Sequence, residues 1–342
     1  MKILVTGSTG FIAGYLVEEL LGHGHSVIGI DNFSKYGRIV KSYDKNPRYQ
    51  FVQGDCKDVK LMKRLAAGCD QVVAAAAKIG GISYFHEFAY DLLAENERIL
   101  ASTFDAALEA FKNGRLKRII VLSSSMVFEN TKRFPSREGD QLVSSPPSST
   151  YGFQKLASEY YAKGAWEQYK LPYTIIRPFN CVGIGEKRAV TGRVVKRGNM
   201  KLALSHVVPD LVQKILKGQN QKPLEILGTG KQIRHYTYGG DIARGIRIAI
   251  ESKKAINDDF NISTAESTSV LELARVIWKK IHGNKKPFRY KLVKSFPYDV
   301  QKRVPDVSKA KRVLGFKADT SLAKMLDEVI PWIQLQIEQG IF

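Results

Sequence analysis

The sequence predicts an α/β protein built on a Rossmann-type, doubly wound parallel sheet, with a smaller substrate-binding lobe toward its C-terminus. Three observations predict it: short apolar runs alternate with amphipathic stretches, a glycine-rich turn follows the first run directly, and the alternation loosens past about residue 180. A parallel sheet is covered by helices on both faces, so its strands read as unbroken apolar runs. Runs of that kind separated by helical spacers imply right-handed crossovers.

The apolar runs fall at Ile3–Val5, Val27–Ile30, Val72–Ala77, Ile119–Leu122 and Tyr173–Ile176. A further strand is expected just before Gly54. Between them, Phe11–Leu21, Leu92–Phe111 and Tyr151–Tyr169 have the spacing of amphipathic helices. Beyond residue 180 come a basic loop, a helix near Val207–Leu216, a short strand at Leu224–Leu227 and mixed elements. Residues 1–180 are therefore expected to form the sheet domain and 181–342 mainly the smaller lobe, with 236–262 returning to the sheet. The lobe would pack at the carboxyl ends of the strands, where open α/β sheets bind ligands.

Composition is that of an ordinary globular chain of 342 residues, 44% hydrophobic and 25% charged. Cys56, Cys69 and Cys181 are spaced too widely for a zinc knuckle or a redox pair, which suggests reduced thiols in the cytoplasm and no metal. The N-terminal MKILVTG runs straight into a strand pattern, and no stretch of about 18 apolar residues suggests a membrane span. A net charge of +20 raises the question of nucleic acid. The basic residues are dispersed, however, with no arginine-rich tail and no alternation with aromatics, so neither nucleic acid nor membrane is expected as a partner. The one local cluster, Lys187, Arg188, Arg193, Lys196, Arg197 and Lys201, suits a diphosphate ligand.

The turn Thr6-Gly7-Ser8-Thr9-Gly10-Phe11-Ile12-Ala13-Gly14 joins the first strand to the first helix. Gly7 and Gly10 let the backbone turn tightly and approach a pyrophosphate, whose charge the helix N-terminus favours. A glycine turn alone is weak, but this one has a strand before it and a helix and second strand after it. The second strand ends at Asp31, whose carboxylate can take both hydroxyls of an adenosine ribose and would repel a 2′-phosphate. NAD is thereby favoured over NADP, with Arg38 moderating the preference. Gly54-Asp55-Cys56 is placed to meet the adenine.

Tyr151 and Lys155, four residues apart, share one helical face. A free phenol has a pKa of about 10 and is a poor base at neutral pH; an adjacent ammonium is expected to bring it down toward the working range. Ser123-Ser124-Ser125, at the end of a strand just upstream, offers a hydroxyl to polarise a carbonyl.

With these motifs the chain resembles the extended short-chain dehydrogenase/reductase family, in its NAD-dependent nucleotide-sugar epimerase/dehydratase branch. The resemblance runs over Thr6–Gly14, Gly54-Asp55, Ala76-Ala77, Asn96, Ser123–Phe128, Ser149–Gly152 with Lys155, and Arg177-Pro178-Phe179-Asn180. It continues through Gly228–Arg234, Asp241, Asn261–Ser263 and Arg303–Asp306. It implies Tyr151 as base and acid at a sugar hydroxyl, Lys155 on the nicotinamide ribose, and Ser124 on the reacting oxygen. Cofactor contacts would come from Gly7, Thr9, Gly10, Phe11, Ile12, Asp31, Asn32, Asp55, Cys56, Ala76, Ala77, Lys78, Asn96 and Ser123. Asn180, Arg234 and Arg303 would hold the diphosphate of a nucleotide-diphosphate sugar, and the two long helices would pair in a homodimer. Ala13, Ala74 and Phe128 depart from the family pattern, which more often has glycine, histidine and tyrosine there.

Met126 bears on the reaction. At the positions of Ser125 and Met126 the family's 4,6-dehydratases carry Asp-Glu. At the Met126 position its decarboxylases carry glutamate and its 3,5-epimerases cysteine. A thioether exchanges no protons, which leaves C4 epimerisation through a transient 4-keto sugar, or reduction of a 4-keto sugar. Against this, Lys78–Ile82, with Gly80 and Gly81 expected to wall the sugar, and Ser205–Pro209, with His206 and Val207 near the substrate, resemble segments of GDP-fucose synthase. A Gly-Gly pair also occurs in GDP-mannose 3,5-epimerase. The epimerase is the expectation. The alternatives are a reductase, a 3,5-epimerase/reductase of the GDP-sugar type, and a catalytically silent NAD-binding regulator.

Overall fold

The computed structural model describes residues 1–79, 88–185, 206–218, 222–294 and 300–340. The chain begins β1 (Lys2–Thr6), α1 (Phe11–Gly22), β2 (Ser26–Asp31), β3 (Tyr49–Gln53), α2 (Val59–Ala66), β4 (Gln71–Ala74), α3 (Ala89–Lys112) and β5 (Arg118–Leu122). A 3-10 turn, Ser125–Phe128, leads to α4 (Asp140–Val143), α5 (Thr150–Tyr169), β6 (Tyr173–Pro178) and β7 (Cys181–Val182). Then come α6 (Val207–Lys217), β8 (Leu224–Leu227), β9 (Ile233–Arg234), β10 (Thr237–Tyr238), α7 (Gly239–Glu251) and β11 (Asp258–Ile262). The last elements are β12 (Thr268–Ser269), α8 (Val270–His282), β13 (Tyr290–Val293), α9 (Ser308–Leu314) and α10 (Leu322–Glu338).

Seven strands form one parallel sheet in the order β3-β2-β1-β4-β5-β6-β11, the doubly wound arrangement the apolar runs predict. Alternate residues of each strand feed opposite cores. Ile3, Val5, Val27, Val73, Ile120 and Ile176 pack with Leu16, Val17 and Leu20 of α1 and Ile242 and Ile246 of α7. Leu4, Ile28, Val72, Ile119, Val121 and Ile175 pack on the other side with α2, α3 and α5 through Met62, Phe104, Ala107 and Ala162. Helices cover both faces over the central strands, which is why β1, β4, β5 and β6 are buried along nearly their whole length, while the edge strand β3 is mostly exposed.

One strand end differs from expectation. The fourth strand stops at Ala74 rather than Ala77, because the Ala75 and Ala76 amides leave the ladder and donate to Thr6 Oγ1, 2.9 Å each. The seventh strand is β11, paired from Asp258↔Thr174 to Ile262↔Pro178. A third apolar cluster joins α6, β8, α8 and α10 through Leu211, Ile226, Leu273 and Leu326. The strand order reverses between β1 and β4, so a crevice opens there beyond their carboxyl ends.

Candidate active site

The crevice holds a cavity of about 510 Å³. The turn after β1 forms its floor. Gly7 has φ +67°, a conformation that costs an L side chain, and a Cβ there would meet Ala76 Cα at 2.9 Å. A Cβ on Gly10 would meet the Gly7 carbonyl at 2.9 Å. Gly10 caps α1 with no side-chain hydrogen bond, and the first turn carries no acidic residue. The leading amides of α1 thus face the cavity at the positive end of the helix, a cradle for a diphosphate.

At the end of β2, the Asp31 carboxylate accepts from the Phe33 amide (2.8 Å) and the Thr9 amide (3.2 Å). Both oxygens keep lone-pair capacity for ribose hydroxyls. Asn32, Asp55 and Cys56 line the same end of the cavity. The residues present therefore fit a dinucleotide: an amide cradle, a ribose acceptor and a pocket for the base.

Of the residues expected on the cofactor, Gly7, Gly10, Phe11, Ile12, Ala76, Ala77, Lys78, Ser123, Tyr151 and Lys155 also line this cavity. Thr9 and Asn96 stand behind it. Thr9 is buried and orients Asp31, while the Asn96 amide exchanges hydrogen bonds with the Lys78 backbone, accepting at 2.6 Å and donating at 3.0 Å. Gly80 and Gly81, and the basic cluster Lys187–Lys201, lie outside the described residues.

The far end of the cavity is made by α5 and the end of β5. Ser149 caps α5 by accepting from the Gly152 amide (3.0 Å), and Glu129 accepts from both the Ser149 amide (3.0 Å) and hydroxyl (2.8 Å). This cap fixes the first turn of the helix, where Tyr151 sits hydrogen-bonded to Ser124. Ser124 caps the 3-10 turn, accepting from the Met126 amide at 3.2 Å. Ser125 and Met126 are buried in that turn.

The electrostatics differ from the sequence expectation. Burial pushes Tyr151 up to about 12; the Ser124 hydrogen bond and the Arg303 charge oppose this without offsetting it. Lys155 is not what lowers the phenol here. Its Nζ lies 6.0 Å from the Tyr151 ring centroid and donates to the Leu122 carbonyl at 2.9 Å. Burial brings Lys155 down to about 8, with Glu97 opposing. Desolvation outweighs the pair interaction because both groups are enclosed.

Of the other expected substrate residues, His206 and Arg303 reach this centre. His206 lines the cavity at the start of α6, with Val207 beside it in the helix. Asn180 adopts φ +36°, and its amide donates to the His235 carbonyl at 3.4 Å. Arg303 acts electrostatically on both Tyr151 and Tyr236, and Arg234 acts on Tyr236. Sequence reasoning missed Tyr236, a buried phenol on which both guanidinium groups act, and also Tyr36 in the cavity wall. No spacing signal marks either.

The family model for the NAD-dependent epimerase/dehydratase family matches residues 3–263. The chain belongs to that family. As a family member it is an NAD-dependent enzyme, in agreement with the cradle, the ribose acceptor and the base pocket. An uncharacterised UDP-glucose epimerase of Bacillus subtilis is 28% identical, over 97% of this chain and 98% of that one. A UDP-N-acetyl-α-D-glucosaminuronate decarboxylase of Bacillus cytotoxicus is also 28% identical, with the same coverage. Among solved structures of the epimerase/dehydratase fold, the UDP-glucuronic acid 4-epimerase of Bacillus cereus, in complex with UDP-glucuronic acid and NAD, superposes with a TM-score of 0.79. It is 28% identical and covers 98% of this chain and 99% of that one. Among the described residues no helix is long and apolar enough to cross a membrane, and no cluster of His, Cys, Asp and Glu could hold a metal ion.

Proposed function

We propose that the protein is a nucleotide-sugar 4-epimerase. The observation that carries this is the Ser124–Tyr151 hydroxyl pair beside the cofactor cavity, with a buried thioether, Met126, where the family's decarboxylases and dehydratases place an ionisable group. Hydroxyl-proton exchange at one sugar carbon needs a phenol and a hydroxyl donor and nothing more at that position. Tyr151 Oη takes the proton of the C4 hydroxyl and later returns it. Ser124 Oγ donates to the same sugar oxygen as it gains carbonyl character. NAD, when bound, would supply the acceptor of the C4 hydride and, once reduced, the donor that returns it to the other face, and its cationic ring would favour the phenolate. Arg303 adds to that preference from the protein side. Asn180, Arg234 and Arg303 hold the diphosphate, so the sugar stays tethered while it presents its second face.

The experiment is turnover of UDP-, GDP-, dTDP- and CDP-hexoses and hexuronates by purified protein with no added nicotinamide, read by NMR. A C4 epimer formed without net cofactor consumption is the expected result, abolished in Tyr151→Phe by about 10²–10⁴-fold. Stoichiometric loss of added NADH with a 4-keto substrate would show the reductase instead, and carbon dioxide from a hexuronate the decarboxylase.

The proposed enzyme is a cytoplasmic homodimer joined through α3 and α5. Exposed aromatics on these helices, Tyr90, Phe153 and Tyr160, support the pairing, and the free cysteines suit a reducing compartment. A monomeric mass in solution would overturn the dimer.

A further inference from the structure

The most deeply buried charges among the described residues lie outside the chemistry described above. Glu159 on α5 and Arg177 on β6 are both 0% exposed. The Glu159 carboxylate accepts from Arg177 Nε and Nη2 at 2.7 Å each and from Gln141 Nε2 at 3.1 Å. Its fourth donor is the Ser123 hydroxyl at 2.6 Å, the shortest of the set. Arg177 also meets Asp259 on β11 at 2.7 Å, and Asp259 is bound by Lys309 of α9 at 2.8 Å. The carboxylate is therefore locked to the last strand of the sheet. A buried ion pair of this kind is weak evidence for net stability, because desolvation consumes most of the attraction.

Its geometry indicates a different use. Glu159 follows Lys155 by four residues and Tyr151 by eight, so all three project from one stripe of α5, about 12 Å from end to end. Ser123 immediately precedes Ser124. The last residue of β5 and the one after it are thus fastened to the same helix: Leu122 through its carbonyl to Lys155 Nζ, and Ser123 through its hydroxyl to Glu159. The first link ends on a group that also faces the cofactor cavity. The second ends on a carboxylate sealed from ligand.

We propose that Glu159 is a positioning residue, its carboxylate holding the serine turn through Ser123 so that Ser124 and Tyr151 keep one spacing during the reaction. This rests on the epimerase reading for its kinetic consequence, though not for its structural one. The Ser123 hydroxyl can be removed without breaking the Glu159–Arg177 pair, and it is the donor that ties the pair to the serine turn, which makes Ser123→Ala the informative variant. With that hydroxyl gone the carboxylate still has three donors, and the serine turn loses its side-chain link to Glu159 while the Ser123 amide stays on the Ile176 carbonyl at 2.8 Å.

The experiment compares the wild-type protein with Ser123→Ala, Ser123→Thr and Glu159→Gln. For Ser123→Ala, kcat is expected to fall on the order of 10- to 100-fold, the scale of a misplaced catalytic group. KM for the nucleotide sugar and the melting temperature should stay close to wild type, and Ser123→Thr should restore most of kcat. A crystal structure of NAD-loaded Ser123→Ala should show Ser124 displaced from Tyr151, a readout that needs no turnover. Full kcat in Ser123→Ala, or an unmoved serine turn, overturns the proposal. Wild-type protein that turns over no nucleotide sugar overturns the epimerase reading instead and leaves the crystallographic comparison to decide this one. Glu159→Gln is expected to repeat the kinetic loss with a lower melting temperature; a stability loss alone, with kcat retained, also overturns it.

Discussion

Lys155 carries an ammonium into a place where burial outweighs its neighbours, and this has a consequence for stability with a definite sign. Its folded value is about 8 against 10.5 for the free group. Between those two pH values the unfolded chain binds a proton that the folded chain does not, so stability rises with pH across that window. Below pH 8 the whole cost of the buried charge is present. Tyr151 acts oppositely but later: raised from 10.0 to about 12, it makes the folded state lose stability only above pH 10. The melting-temperature difference between wild type and Lys155→Met should therefore move in favour of wild type from pH 8 to pH 10. A flat or falling difference would show that Lys155 is not desolvated. At this scale the sequence is legible where spacing alone decides, as for Tyr151, Lys155 and the turn glycines. It is illegible where enclosure decides. The ammonium was expected to lower the phenol, and the surrounding protein raises it. Glu159 stands four residues past Lys155 with no motif to single it out, because Ser123 and Arg177 reach it, and Asp259 reaches Arg177, only through the fold.

Elements show the same division. Strands buried on both faces announce themselves as apolar runs, and the helices between them by their stripes. What could not be read is where such runs stop. β4 ends early because one hydroxyl, Thr6 Oγ1, captures two amides. The two-residue strands β7, β9, β10 and β12 are too short to have a period at all. The N-terminus of α1 is the clearest case: the glycine turn predicts a diphosphate there, and no side chain caps the helix. Gly10→Ala places a methyl against the Gly7 carbonyl and over the amides that face the diphosphate. The NAD released by acid from purified Gly10→Ala protein should fall at least about tenfold below wild type, equivalent to roughly 1.4 kcal/mol of lost affinity. Wild-type cofactor content in this variant would mean that the cradle is not where the diphosphate sits.

For the whole molecule the dominant property is charge: 53 Lys and Arg against 33 Asp and Glu. The ion pairs of the fold do not remove the surplus, because every pair such as Lys57–Glu95 or Lys309–Asp259 cancels one charge of each sign. The excess of +20 must therefore appear as a positive field around the molecule. Such a field attracts any polyanion, and so cannot by itself name a partner. In the proposed enzyme the incoming anion is a nucleotide diphosphate, drawn toward the charges of Arg234 and Arg303, which act together on Tyr236. Salt shortens the reach of that field from about 20 Å at low ionic strength to below about 8 Å above physiological strength, while the buried chemistry at Tyr151 is scarcely screened. Raising sodium chloride from about 20 mM to about 300 mM should thus lower kcat/KM for a nucleotide-diphosphate sugar several-fold and leave kcat nearly unchanged. Equal losses in kcat and kcat/KM would instead mean that salt disturbs the catalytic geometry, and a salt-independent kcat/KM would mean that the surplus charge points away from the crevice.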